Sequence, residues 1–232
     1  MENQEKRNDL SVGNIVTLGS YPQSSDRPEP IEWYVVKVFG DRALLLSKHG
    51  LDSRPFNESG QQVTWENCTL RSWLNSEFWE TAFTDDEKER VIEADNNNSL
   101  CFVNWLEMFF TNLNRPPLKA VKMVRFGKRT MDRVFCLSYD EVKRYLCGNE
   151  AVRAVMTTIP TAYAVERGAK LRKYESMYDG AEQQGTEWWL RSMGSGKRYA
   201  ADVFEDGSVD REGIEVNTAG HCVRPALYIS LE

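Results

Sequence analysis

Apolar and polar positions alternate near both ends of the chain and take helical spacing in its middle. Ile15 to Leu18 reads as a short strand closed by Gly19, followed by a Pro- and Ser-rich loop from Tyr21 to Pro30. Ile31 to Val38 and Ala43 to Ser47 read as a hairpin turning through Gly40-Asp41. Ile31, Trp33 and Val35 share one face of its first strand, while Tyr34 and Val36 put apolar groups on the other. Such a strand belongs inside a sheet.

After a polar loop over 52–62, Leu70, Trp73, Leu74 and Phe78 fall on a single helical face. Thr84-Asp85-Asp86-Glu87 is a capping box that opens a second helix, with Val91 and Ile92 expected on its buried side and residues 95–98 closing it. Helical spacing returns at Phe102 to Phe110, and a long excursion with Pro116-Pro117 fills 112–130. Val134 to Leu137 reads as a short buried strand. Ser138 to Glu141 is another capping box, with Val142, Tyr145 and Leu146 as the inner face of its helix. A further helix is expected from Pro160 through Val165, and then a polar linker over 172–185.

The last third returns to period two. Alternation in Trp188-Trp189-Leu190-Arg191-Ser192 sets Trp188 and Leu190 against Trp189 and Arg191. Tyr199 to Val209 is a strand running into an Asp206-Gly207 turn. The segment 223–231 reads as one strand, with Val223, Leu227, Ile229 and Leu231 on one face and Arg224, Ala226, Tyr228 and Ser230 on the other. Strands, a helical middle and strands again make an α+β order, without βαβ alternation.

Composition narrows the function classes. Hydrophobic residues make up 41% and charged residues 28%, as in an ordinary globular protein. A net charge of −6 speaks against nucleic acid as a partner. The basic stretch from Lys119 to Arg133 is read as a solvated loop. The five cysteines show no CxxC spacing and are read as buried free thiols in a reducing compartment. The polar N-terminus, read as flexible over 1–12, has no secretory pattern, and no apolar run is long enough to span a membrane. A cytoplasmic protein is expected, one that could also leave the cell with a particle.

Candidate chemistry is sparse. His49 and His221 are the only histidines. His221 adjoins Cys222, but neighbours on a strand point to opposite faces, so no Cys-His dyad is expected. Asp202, Glu205, Asp206, Asp210, Glu212 and Glu215 lack the spacing of a calcium loop and are read as a solvated hairpin face; no metal or other cofactor is expected. Trp188 and Trp189 are read as core rather than sugar-stacking residues. Arg191 and Arg224 are read as structural, paired with buried carboxylates such as Glu32 or with loop carbonyls.

Several segments together resemble the uncharacterised bacterial domain-of-unknown-function family 6273, common in gut Firmicutes and their mobile elements. They include Leu18-Gly19-Ser20-Tyr21-Pro22-Gln23, Pro30-Ile31-Glu32-Trp33, Ala43 to Ser47, Thr64-Trp65-Glu66, Leu70 to Asn75, Val134 to Ser138, Thr161 to Ala164, Trp188 to Ser192, Asp206 to Val209 and Val223 to Leu227. The resemblance implies a single C-type-lectin-like domain over 13–232, with a mixed or antiparallel sheet and a helical middle insertion. It also implies kinship with the formylglycine-generating-enzyme branch of that fold and with the variable proteins of diversity-generating retroelements. The cysteine pair that holds copper in the former has no counterpart here, so no enzyme activity is expected.

The leading expectation is therefore a non-enzymatic ligand-binding or display module for a protein or glycan ligand. In the lectin-like topology the loops 194–199 and 210–221 come together, and Ser195, Lys197, Arg198, Tyr199, Arg211, Glu215, Asn217 and His221 form the expected contact surface. The alternatives are a structural subunit of a phage or mobile-element particle, or an enzyme of unknown type on a formylglycine-generating-enzyme-like fold.

Overall fold

A computed structural model describes residues 10–24, 26–98, 127–147, 150–176 and 180–232. The helix expected at 102–110 and most of the basic excursion lie outside the described residues. Leu10 and Val12, at the end of the stretch read as flexible, pack against the core.

The architecture is α+β: two five-stranded sheets with short helices around them. The first sheet comprises β1 (Ile15–Pro22), β2 (Pro28–Phe39), β3 (Arg42–Ser47), β14 (Ala226–Ser230) and β5 (Val91–Ile92), in that order and antiparallel throughout. The second runs β12 (Val209–Glu215), β11 (Tyr199–Val203), β10 (Trp188–Met193), β13 (Cys222–Val223) and β4 (Asp52–Ser53). Its β10–β13 pair is parallel and its other pairs are antiparallel.

β2 is internal, as its two apolar faces require, with Ile31, Trp33, Val35 and Val36 all buried. The hairpin turn takes Gly40 at φ +62°, a left-handed conformation that glycine adopts without steric cost. β1 does not stop at Gly19 but bulges there and continues to Pro22. Gly19 has φ +70°, and a Cβ on it would lie 2.6 Å from the Ala82 carbonyl oxygen. The helix closes tightly on this bulge.

The helix carrying Leu70, Trp73, Leu74 and Phe78 runs over 69–82, α-helical over Thr69–Trp73 and Trp79–Ala82 and π-wound between them; all four side chains are buried. Both capping boxes form as their spacing demands. Thr84 and Glu87 cap Asp85–Arg90, and Glu87 also accepts the Gly19 amide at 2.8 Å. Ser138 and Glu141 cap the helix that begins at Tyr139. The helix expected from Pro160 is capped by Thr161 and spans Ala162–Glu166, while Pro160 itself bridges to Gly50.

Other sequence expectations change, among them the strand expected over 134–137, which is buried but pairs only through an isolated Phe135–Ala226 bridge. Val91 and Ile92 are not on a helix: the chain extends after Arg90 and they become the edge strand β5, where β-branched residues fit a half-buried surface. The polar linker over 172–185 contains a hairpin of β8 (Arg172–Glu175) and β9 (Glu182–Gly185), with Tyr174 hydrogen-bonded to Gln183 at 2.8 Å. Most of its side chains are exposed on both faces, so no apolar alternation marked it. Finally, 223–231 is not one strand. It divides at Arg224-Pro225, with β13 in the second sheet and β14 in the first.

That division joins the sheets. β3 and β4 run alongside β14 and β13 respectively, so one two-stranded ribbon passes from the first sheet into the second. Arg224 sits in the bend, fully buried. Its Nε donates to the Ser47 carbonyl at 2.8 Å and its Nη1 to the Val155 carbonyl at 2.5 Å, and its guanidinium lies 4.9 Å from the Trp188 ring centre. Burial lowers its pKa to about 9, which leaves it charged at neutral pH.

Trp188 and Trp189 are both wholly buried, on opposite faces of β10, and each indole N–H is satisfied: Trp188 by the Met156 carbonyl at 3.1 Å, Trp189 by the Arg54 carbonyl at 2.9 Å. Truncating either ring leaves a cavity and an unpaired carbonyl. Trp188→Ala and Trp189→Ala should each cost roughly 3–5 kcal/mol in urea unfolding; midpoints close to the parent's would show that neither ring carries the core.

Candidate functional site

The residues expected to form a contact surface lie in the turn leading into β11, on β12 and in the segment that follows β12. The turn after β10 folds back on β12, with the Ser195 amide donating to the Glu212 carbonyl at 2.7 Å. Gly194 is required there, because a Cβ would lie 1.9 Å from that same carbonyl oxygen. The Val216 amide donates to the Arg198 carbonyl at 2.9 Å, and the Val63 amide to the Lys197 carbonyl at 2.9 Å. The loop 57–63 thus joins the cluster, with Asn57 bonded to Val216 and Gly60 against the Asn217 side chain. Ser195, Lys197, Arg198, Tyr199, Glu215 and Asn217 are exposed around this junction.

The other two expected residues are placed differently. Arg211 is on β12 rather than in a loop, half-buried, with its guanidinium 5.6 Å from the Tyr139 ring centre. His221 is buried. Its Nε2 lies 2.9 Å from Asp202 Oδ2, and its ring stacks on Trp189 with centres 4.3 Å apart. Asp202 is likewise buried, not part of a solvated face, and burial raises its pKa. The pair holds β11 against the chain entering β13. A lone polar residue on an exposed-looking segment gives no local sign of a partner 19 positions away.

Thiol chemistry is damped at the three buried cysteines, whereas Cys147 is exposed and not buried as expected. Burial pushes Cys68 and Cys222 up to about 12 and Cys136 higher still, so these thiols stay protonated at neutral pH. Cys222 lies 3.4 Å from the Thr186 hydroxyl, while His221 pairs with Asp202. Among the described residues no group of three or more His, Cys, Asp or Glu side chains is arranged to hold a metal ion.

A second feature was not expected: a polar cleft of about 460 Å³ between the β2–β3 hairpin end, the helix begun at Tyr139, and the neighbourhood of β6 (Ala94–Asn96). At one wall Arg191 makes a two-pronged ion pair with Glu141, one prong being Nη2 to Oε1 at 2.8 Å. Arg191 also donates to the Cys136 carbonyl at 2.9 Å and to Asn98 Oδ1 at 3.2 Å. Both arginines make contacts of the expected kinds, a carboxylate and carbonyls; only the example of Glu32 fails. Arg224 takes carbonyls and Arg191 takes Glu141, while Glu32 pairs with Lys48 at 2.7 Å. Burial alone would raise the pKa of Glu141; Arg191 and the Ser138 hydrogen bonds outweigh it and hold it below the ordinary 4.5.

At the described end of the basic stretch, Arg129 pairs with Asp95 and Arg133 lies 5.3 Å from the Trp79 ring centre. The Arg71–Asp132 pair, at 2.5 Å, ties β7 (Thr130–Asp132) to the 69–82 helix.

Two antiparallel-rich sheets joined at a buried arginine, with hydrogen-bonded loops at one place and a polar cleft at another, define an α+β fold. The chain belongs to the family described as domain of unknown function 6273 (DUF6273), whose model matches residues 40–231. Neither the curated proteins nor the solved structures give a match.

Glu141 generates a signed prediction. A carboxylate whose folded pKa lies below its unfolded value stabilises above the unfolded pKa, and that contribution is lost as pH falls through the folded one. Glu141→Gln should cost roughly 3–5 kcal/mol near neutral pH, because it leaves Arg191 buried without a counter-charge. The gap between parent and variant should narrow as pH drops below the ordinary carboxylate range. Urea unfolding at the two pH values checks both the size and the sign.

Proposed function

We propose that this chain is a non-catalytic ligand-binding or display module on a C-type-lectin-like framework, taking a protein or glycan ligand at the end of the second sheet. The observation that carries the reading is the hydrogen-bonded junction of the 57–63 loop, the 194–198 turn and the end of β12. It presents Ser195, Lys197, Arg198, Tyr199, Glu215 and Asn217 outward on backbone held from both sides. Loops fixed on a rigid sheet are where binding function concentrates. A tyrosine beside charges of both signs and an amide suits adaptable polar recognition. Arg211 and His221 act as supports behind the surface. The acidic net charge of −6 favours protein or glycan over nucleic acid.

Non-catalytic binding is also supported by the protonated buried thiols, and by imidazoles that hydrogen-bond to no thiol or side-chain hydroxyl among the described residues. The second reading, a structural subunit of a phage or mobile-element particle, uses the same surface for self-assembly.

Replacing Lys197, Arg198, Tyr199 and Asn217 together by Ala should leave melting nearly unchanged, since exposed substitutions of this kind shift stability by about 0.5 kcal/mol or less each. On a glycan and protein array the parent should mark discrete ligands and the variant should lose them. Retained binding would move the contact surface elsewhere. Concentration-dependent assembly in light scattering, abolished in the variant, would instead favour the particle subunit.

A further inference from the structure

The cleft beside Arg191 is separate from that surface and has its own chemistry. Its volume of about 460 Å³ is that of a small-molecule site. Such sites are usually apolar, so a polar one offers charge and hydrogen bonds in place of hydrophobic burial. Four arginines line it (Arg42, Arg129, Arg144 and Arg191) against three acids, Asp95, Asp140 and Glu141, leaving one net positive charge in a chain of net charge −6. Two of the arginines are already neutralised, Arg129 by Asp95 and Arg191 by Glu141.

Arg42 and Arg144 have no ion partner among the described residues. Arg42 is nonetheless positioned, its guanidinium 5.2 Å from the Tyr228 ring centre and 5.9 Å from that of Phe39. Stacking on rings leaves the guanidinium N–H groups available at the edge. Arg144 comes from a different element, one helical turn beyond Asp140. The hydroxyls of Tyr145 and Tyr228 make no hydrogen bond to the described residues. Burial pushes Tyr228 up to about 12, so it keeps its proton and donates at neutral pH. Asp140, half-buried and without an ion partner, is the wall's available acceptor; burial raises its pKa despite Arg144 and Arg211 nearby.

We infer that this cleft binds a small polar molecule bearing a carboxylate or phosphate group, with Arg42, Arg144, Tyr145 and Tyr228 donating to the oxyanion and Asp140 accepting from a hydroxyl on the same molecule. Charged donors from two elements converge on one space, where a bound anion replaces water on both guanidiniums at once. The site does not depend on the contact surface proposed above.

Sodium phosphate and sodium citrate, each at low millimolar concentration, are compared with sodium chloride at matched ionic strength in thermal melts of the full chain. Both anions stabilise folded proteins generally at high concentration, so a specific site must show a saturating rise in melting temperature at low concentration. One or both anions should give it, which separates phosphate from carboxylate recognition. Arg42→Met with Arg144→Met should abolish the saturating rise. Tyr228→Phe keeps the ring and should weaken binding about tenfold by removing one donor to a charged group; it decides the matter if the double variant fails to fold. Absence of a saturating rise with either anion overturns the proposal. So does a rise unchanged in the double variant, or, where that variant does not fold, unchanged in Tyr228→Phe.

Discussion

The bend at Arg224 is the constraint on which the rest of the structure depends. A ribbon of two strands can serve two sheets only if it turns sharply, and turning exposes carbonyls that the strand ladder no longer satisfies. Arg224 reaches the carbonyl of Ser47 at the bend and that of Val155 outside the ribbon, while its flat face lies over Trp188. Burying a guanidinium without a carboxylate is costly, as its lowered pKa records. That cost is offset where one side chain closes the bend, ties down the 154–156 turn and packs on one of the two indoles of β10. A lysine could deliver the charge but not the planar stacking face.

Arg191 plays a related part on the neighbouring strand, by different means. Its charge is matched by Glu141, which also caps its own helix through Ser138. One carboxylate thus sets the helix start and anchors that helix to β10. Such a pair adds little net stability over an apolar isostere, but losing one member is severe. The result is a fixed angle between helix and sheet, and the polar cleft lies at that junction. Because Arg191 and Arg129 are neutralised within the wall, the cleft's available charge belongs to Arg42 and Arg144.

The end of the second sheet follows another principle. There the backbone carries the structure, through close approaches that only glycine permits at Gly194 and through amide–carbonyl bonds from the 57–63 loop. The outward side chains are thereby released from structural duty. A surface built in this way can change its side chains with little effect on folding, which is the property a recognition surface needs.

Much of the local structure was legible in the residues alone. The β2–β3 hairpin, both capping boxes, the Asp206-Gly207 turn, the helical face of Leu70 to Phe78 and the burial of both tryptophans each rest on signals spanning a few residues. Period, cap spacing and turn chemistry act at that range. The structural role of Arg191 and Arg224 was legible in the same way, whereas the meeting of 194–199 with the end of β12 was expected only from the lectin-like resemblance and from no local signal. What the tertiary structure alone decided was which distant group answers each polar one. Glu141 rather than Glu32 meets Arg191, Asp202 draws His221 into the core, and Arg211 turns to Tyr139. It also decided that 223–231 would serve two sheets, and that Arg42 and Arg144 would line one cleft. Alternation tells which face a side chain takes, but the partner across that face is set by the packing of elements separated by many residues, and no local pattern carries it.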